Sequence, residues 1–353
     1  MSPRHHLILS TPVGPLGSGL GGGVELTLLN VAQALIARGH RVTVVAPEQS
    51  ILGAVPVVEI AGQLQPTAHT QGRATPATLP DHAVLANMWA YARTVQAEVD
   101  VIVNLAYDWL PFYLTPFFQR PVAHFVTMGS LSDVMDAAVR QVAEQFPGRL
   151  GAYTCTQAET FGIANAFEIL GSAIDLDCYR FCADPGPALA WMGRISPEKG
   201  LEDALEASQI KGLPLKIMGK LEDLDYWQRI CQQFPQATAS YLGFLPTQEL
   251  QTVLRECRAL LMTPRWVEAF GNVAIEALAC GVPVVAYNRG GPAEIVQPGK
   301  TGWLVTPDDV QALAATLDQI DVLNRQACRR QAEDVYSLGA LGERFEAWLE
   351  GML

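Results

Sequence analysis

Two glutamates, Glu268 and Glu276, stand eight residues apart in the stretch PRWVEAFGNVAIEALACGVPVVA, residues 264–286. Between them lies Ala-Phe-Gly-Asn, a turn signal that leads into an apolar helix ending at Gly281 and then a strand over 282–286. The first turn of a helix offers unpaired backbone N–H groups and a partial positive charge, which suits an anion such as a phosphate. Glu276 falls more than a turn inside that helix, so its side chain reaches a different part of the same ligand. One carboxylate beside a phosphate site and a second further along predict a ligand that carries both phosphate and hydroxyls.

Cations suited to that phosphate occur in Gly193-Arg194-Ile195-Ser196-Pro197-Glu198-Lys199-Gly200, which follows a predicted strand. At a strand's C-terminal end Arg194 and Lys199 are placed to neutralise a diphosphate, against the plainer reading of a solvated charged loop. Gly290-Gly291-Pro292-Ala293-Glu294 reads equally as a ligand loop or as a turn with a cap. Near the N-terminus, Gly17-Ser18-Gly19-Leu20-Gly21-Gly22 satisfies the GxGxxG pattern of dinucleotide folds, and Glu48 ends the next strand. The loop from Thr11 to Gly23 is longer than that motif's tight turn. Structural glycines alone are the other plain reading, and the favoured one is that Gly22 and Gly23 let backbone approach a phosphate or an acceptor.

These loops need strands and helices to hold them. A strand over 6–11, a helix over 24–38 with Leu28, Val31, Ala32 and Leu35 on one face, and an apolar strand over 41–46 begin a doubly wound α/β sheet. Further strands are predicted over 55–60, 101–105, 122–126, 151–155 and 167–170, with helices over 81–97 and 131–146. Residues 61–80, rich in Pro, Thr, Gln, Ala and Gly, break the rhythm as a long irregular connection. A second series follows: strands over 188–192, 215–218, 239–242, 259–262 and 282–286, helices over 197–209, 222–234 and 247–257, and closing helices over 308–320 and 340–353. The expected organisation is an N-terminal Rossmann-like domain over 1–172, a linker over 173–187 containing Pro185-Gly186-Pro187, a second Rossmann-like domain over 188–339, and a last helix over 340–353 that reaches back to the first domain. Ligands of such sheets bind at the C-terminal strand ends, in a crevice the two domains face.

The 353 residues exceed one ordinary core, and 49% hydrophobic with 17% charged residues describes a globular protein. A net charge of −12 argues against nucleic acid as a partner. Seven cysteines without a CxxC pair indicate neither a zinc site nor a disulfide framework, and Cys178 and Cys182 read as reduced thiols. The start MSPRHHLILSTPVGP reads as a first strand, not a signal peptide, and no window approaches the roughly 18 apolar residues of a membrane span, so a cytoplasmic protein is expected.

Glu268-x7-Glu276 enclosing Phe270-Gly271-Asn272, Gly193-Arg194 with Lys199-Gly200, and Gly290-Gly291 with Glu294 together resemble the retaining glycosyltransferases of family 4. The resemblance covers nearly the whole chain and is strongest over 190–305. It implies the GT-B fold, transfer of a hexose with retained configuration, and a nucleotide-sugar donor with no cofactor or metal. By the same resemblance Glu268 contacts the sugar, and the backbone of Phe270, Gly271 and Asn272 lies near sugar and phosphate. Glu276 holds the ribose, Arg194, Lys199 and Gly193 serve the diphosphate, and Gly22 with Gly23 form the N-terminal glycine loop. Many relatives carry a histidine after the strand equivalent to 121–126, where this chain has Thr127-Met128-Gly129, and His124 reads as a packed strand residue.

A departing nucleoside diphosphate gains charge as the glycosidic bond breaks, which fixed cations and helix N–H groups stabilise most when it is fully formed. Retaining glycosidases use a carboxylate nucleophile beside an acid, but no second carboxylate is placed on the opposite sugar face here. A front-face displacement is therefore expected, with Glu268 orienting the sugar. Acceptor contacts are expected from Tyr107, Trp109, Gly129 and Asp133 of the N-terminal domain. The opening STPVGPLGSGLGGGVELTL resembles the corresponding stretch of UDP-glucose:tetrahydrobiopterin glucosyltransferases, which implies UDP-glucose as donor and a pteridine side-chain hydroxyl as acceptor. Another sugar, lipid or polysaccharide acceptor, an NAD-dependent oxidoreductase and a non-catalytic nucleotide-sugar binder are the alternatives.

Overall fold

The computed structural model describes residues 2–68 and 71–353. Residues 69 and 70 of the irregular connection expected over 61–80 lie outside the described residues. The chain divides into one unit of Met1–Ala173 with Leu338–Leu353 and a second of Ile174–Ser337.

The first unit opens with β1 (His5–Leu9), α1 (Gly23–Ala37), β2 (Arg41–Pro47), β3 (Val57–Ile60), α2 (Val84–Val95) and β4 (Val101–Asn104). It continues with α3 (Trp109–Leu114), β5 (Val122–Val126), α4 (Asp133–Gln145), β6 (Leu150–Ala152), α5 (Cys155–Glu159) and β7 (Phe167–Ile169). All seven strands are parallel, in the order β3-β2-β1-β4-β5-β6-β7. β4 and β5 are buried at every position, as strands covered on both faces must be. On one side Trp89 and Met88 of α2 pack over Leu7, Leu9 and Ile102.

The second unit comprises β8 (Leu189–Met192), α6 (Leu201–Lys211), β9 (Leu215–Met218), α7 (Leu224–Gln233), α8 (Ala237–Ser240), α9 (Thr247–Arg255) and β10 (Leu260–Met262). Then come α10 (Asn272–Ala279), β11 (Val284–Tyr287), α11 (Gly291–Ile295), β12 (Gly302–Val305), α12 (Val310–Thr316) and α13 (Arg325–Val335). Its five strands are parallel in the order β12-β11-β10-β8-β9, with Trp191 and Tyr287 fully buried in the core. The strand expected over 239–242 is replaced by α8 and a single bridge from Tyr241 to Ile217 at the edge of β9. The chain turns extended at Tyr241, where Leu242 N–H donates to the Ile217 carbonyl at 2.9 Å, but Gly243 and Pro246 follow too soon for a strand to grow. β12 and α13 were not expected: Gly302 hides the start of a strand, and RQACRRQAEDV looks too polar to pack.

The last helix, α14 (Leu338–Glu350), lies in the first unit. Phe345 meets Phe125 edge-on at 5.2 Å, His40 Nε2 lies 3.0 Å from Glu346, and Arg4 pairs with Glu350 at 3.1 Å. Among the described residues no helix is long and apolar enough to cross a membrane.

Candidate active site

β8 is the first strand of the second sheet, with β9 added on one side and β10 on the other. The connections leaving β8 and β10 therefore diverge, and a crevice opens at their C-terminal ends. Both loops that carried the sequence pattern leave from this point. They are stitched together: the Trp191 indole donates to Thr263 Oγ1 at 3.2 Å, Thr263 Oγ1 donates to the Gly200 carbonyl at 2.7 Å, and Arg265 N–H donates to the Glu198 carbonyl at 2.8 Å.

The stitching brings together two residues 69 positions apart. The Lys199 ammonium donates to Glu268 Oε2, and the Trp266 indole N–H donates to the same oxygen at 3.0 Å. Lys199 also lies 5.0 Å from the centre of the Trp266 ring, within cation–π range. Both charged side chains are largely withdrawn from water, at 18% and 15% exposure. Burial raises the Glu268 carboxyl, but the Lys199 charge and hydrogen bond, the Trp266 donor and the Arg194 charge outweigh it and hold the group below its ordinary value. Glu268 is thus an ionised acceptor at neutral pH.

The backbone of this carboxylate is clamped by the glycine pair after β11. A Cβ on Gly290 would stand 2.5 Å from Glu268 N, and one on Gly291 would stand 2.2 Å from the Phe270 carbonyl oxygen. Gly291 N–H donates to the Glu268 carbonyl at 2.7 Å. This pair is therefore more than a turn: only glycines admit the approach that fixes Glu268.

Gly271 caps α10, Phe270 is buried edge-on against Tyr336 at 6.0 Å, and Asn272 takes the first helical position. Asn272 Oδ1 is buried without a hydrogen-bond partner. Further along α10 the Tyr179 hydroxyl donates to Glu276 Oε1 at 2.9 Å. Burial pushes the Glu276 carboxyl up to about 7 against the lowering effect of that bond. The two glutamates of one motif are therefore shifted in opposite directions, one by a cation and one by desolvation.

Arg194 pairs with Glu198 at 3.1 Å and with Glu222 at 2.5 Å. Gly193 N–H donates to the Met218 carbonyl at 3.1 Å, which fixes the turn after β8. Among the described residues no three His, Cys, Asp or Glu side chains converge to hold a metal ion.

In the first unit Gly22 is the N-cap of α1 and Gly23 its first residue. The turns after β1 and β4 flank the point where that sheet reverses its order. Leu131 N–H donates to the Tyr107 hydroxyl at 3.1 Å, and burial pushes that phenol up to about 12. Ser130 N–H, next to Gly129, donates to Thr160 Oγ1 at 2.8 Å. Asp133 pairs with Arg73 at 2.8 Å, and Arg73 also reaches Asp136 and Ser130. Tyr107, Gly129 and Asp133 thus share one neighbourhood at the head of α4, whereas Trp109 stacks on Tyr113 at 4.8 Å. His124 is fully buried in β5, stacked on Phe112 at 4.1 Å with Nε2 2.8 Å from Thr115 Oγ1, and burial lowers it to about 3. It is a neutral core residue.

Sequence reasoning missed Trp266, Tyr179 and Arg73. Trp266 stands two residues before Glu268 and was the accessible signal; Tyr179 and Arg73 reach their partners across 97 and 60 to 63 positions, which no local pattern records.

Two Rossmann-like parallel sheets, of seven and five strands, give this chain the GT-B glycosyltransferase fold. Residues 183–335 match the family described as Glycosyl transferases group 1. The chain is 28% identical over 189 residues to the putative colanic acid biosynthesis glycosyltransferase WcaL of Salmonella typhimurium, covering 50% of this chain and 45% of the relative. It is 30% identical over 244 residues to a glycogen synthase of Mycobacterium tuberculosis, covering 61% of this chain and 59% of the relative. The chain thus spans about half the length of these two relatives. A D-inositol 3-phosphate glycosyltransferase of Rhodococcus erythropolis is 27% identical, with 90% of this chain and 83% of the relative covered. Among solved structures, sucrose-phosphate synthase of Thermosynechococcus elongatus superposes with a TM-score of 0.80 at 17% identity, over 99% of this chain and 98% of that one. Anabaena HepE in complex with UDP and glucose superposes at 0.76 and 20% identity, over 99% of this chain and 100% of that one.

Proposed function

We propose that the chain is a retaining glycosyltransferase that moves a hexose, glucose from UDP-glucose, to a hydroxyl of a small soluble acceptor such as tetrahydrobiopterin. The observation that carries the reading is the Lys199–Glu268–Trp266 cluster beside the start of α10, in a segment that matches glycosyl transferases group 1. A carboxylate held ionised by a partly buried lysine accepts hydrogen bonds from sugar hydroxyls. The same lysine, with Arg194 and the amides that open α10, carries the charge that builds on the leaving diphosphate.

In this mechanism the bond from the anomeric carbon to the β-phosphate oxygen breaks, and that oxygen takes the acceptor's hydroxyl proton as the acceptor oxygen attacks from the same face. The products are a glycoside of retained configuration and the nucleoside diphosphate. Glu268 orients the ring, Glu276 binds the ribose, and the backbone of Gly193, Phe270, Gly271 and Asn272 approaches sugar and phosphates. In the first unit Gly22 and Gly23 add donor contacts, and Tyr107, Trp109, Gly129 and Asp133 contact the acceptor. These groups carry the charge stabilisation, and no metal ion takes part.

UDP-glucose as donor is supported by HepE structures that hold UDP and glucose, or UDP-glucose, in the same fold. Tetrahydrobiopterin rests on the sequence of the first loop and helix. The test measures UDP release from UDP-glucose and other donors, with pteridine, sugar and polyol acceptors, for the parent, Glu268→Ala and Lys199→Ala. Acceptor-dependent release that collapses in both variants is expected. Binding of UDP-glucose without release on any acceptor would favour a nucleotide-sugar sensor.

A further inference from the structure

The glycine loop before α1 does not face solvent with open amides. Its N–H groups converge on one side chain: Gly17 N–H and Gly19 N–H donate to Glu25 Oε2 at 2.8 and 3.3 Å, and Gly21 N–H donates to Glu25 Oε1 at 2.7 Å. Alternate residues point their amides at the same carboxylate, a backbone nest already filled by an anion of the chain itself. Ser18 and Gly22 turn theirs back into the loop, onto the Pro15 and Gly19 carbonyls. Glu25 is the third residue of α1, the position from which a capping-box glutamate reaches back past the helix start. Here the N-cap is a glycine with no side-chain bond, so Glu25 supplies the side-chain tie between the helix start and the loop.

Gly21 lines this carboxylate directly. A Cβ on Gly21 would stand 2.9 Å from Glu25 Cγ and 3.1 Å from Oε1. The carboxylate occupies the position at which those three amides would otherwise meet an external anion. From the other side Leu16 N–H donates to Ser50 Oγ at 2.9 Å and Ile51 N–H to the Leu16 carbonyl at 3.0 Å, anchoring the loop to the connection after β2.

We propose that Glu25 is a positioning residue: its carboxylate organises residues 17–21 and so presents Gly22 and Gly23, at the start of α1, in one fixed conformation for donor binding. The assignment rests on the donor contact proposed above for Gly22 and Gly23. Phosphate contact is thereby confined to the helix start, and the GxGxxG match is explained without a dinucleotide.

The experiment uses the full chain and the variants E25A and the isosteric E25Q. Hydrogen exchange of the peptides over 14–23 is expected to speed up about tenfold or more in E25A, the loss of at least one charge-assisted bond, with the remainder of the chain unchanged. The KM for UDP-glucose rises by about the same factor while kcat changes less. Sodium formate, a free carboxylate, restores slow exchange and low KM in E25A and leaves the parent unaffected. E25Q, which folds with the same volume, shows faster exchange than the parent. Unchanged exchange over 14–23 in both variants, or no response of E25A to formate, would overturn the proposal. Absence of UDP release in the parent counts against the transferase reading, and the exchange and formate arms still decide the role of Glu25.

Discussion

Lys199 and Glu268 form a direct ion pair, and the indole of Trp266 shares the carboxylate oxygen that the lysine holds. The pair joins the turn after β8 to the loop after β10 at the one place where the five-stranded sheet changes direction. Removing the cation therefore does two things. It withdraws charge from the candidate diphosphate site, and it leaves burial as the dominant influence on Glu268.

Lys199→Ala is expected to lower kcat/KM for UDP-glucose by about 30-fold or more, at least ~2 kcal/mol of transition-state stabilisation. The acid limb of the pH profile moves upward as well, because burial, the largest influence on the Glu268 carboxyl, is then opposed only by the Trp266 donor and the Arg194 charge. UDP release measured from pH 4 to 9 checks both, and an acid limb that stays in place would show that Glu268 is not governed by this lysine.

Glu276 titrates in the opposite sense. Its folded value is raised to about 7, so the folded state binds the proton more tightly than the unfolded chain does. That contribution is fully present below the ordinary glutamate range and is lost as pH rises through about 7. Glu276→Gln keeps the shape and removes the titration. Its melting temperature should fall less than the parent's between pH 5 and pH 8, and equal slopes would contradict the assignment.

Gly290→Ala is expected to abolish activity and to destabilise the second unit by about 2–4 kcal/mol, because the new methyl meets the Glu268 backbone at 2.5 Å. Denaturant melts and UDP release read the two effects. A variant as stable and active as the parent would mean that the clamp on Glu268 has slack.

On the acceptor side, Tyr107→Phe removes the hydroxyl that receives Leu131 N–H and loosens the turn before α4. The acceptor KM should rise about fivefold, equivalent to about 1 kcal/mol. UDP release without acceptor should be unaltered, and a change confined to the donor KM would move Tyr107 out of the acceptor group.

Much of the fold was legible because parallel strands buried on both faces must be short apolar runs, and the helices between them must repeat every three to four residues. The runs ending at Met192, Met262 and Ala286 carry that signal plainly. Where composition is ambiguous it faded: the segment 237–240 after Gln236 became α8, and Gly-Trp-Leu-Val after Thr301 became β12.

By itself the sequence determined two doubly wound halves, the pair Glu268 and Glu276 on either side of a helix start, and cations in the loop after the first strand of the second half. Only the tertiary structure decided which partner each group meets. Lys199 meets Glu268 across 69 positions, Tyr179 meets Glu276 across 97, and the glycines of the first loop close on Glu25 rather than standing open. The reason is physical: spacing along the chain fixes which residues share a turn or a face, whereas charge state depends on desolvation and on partners that arrive from distant elements.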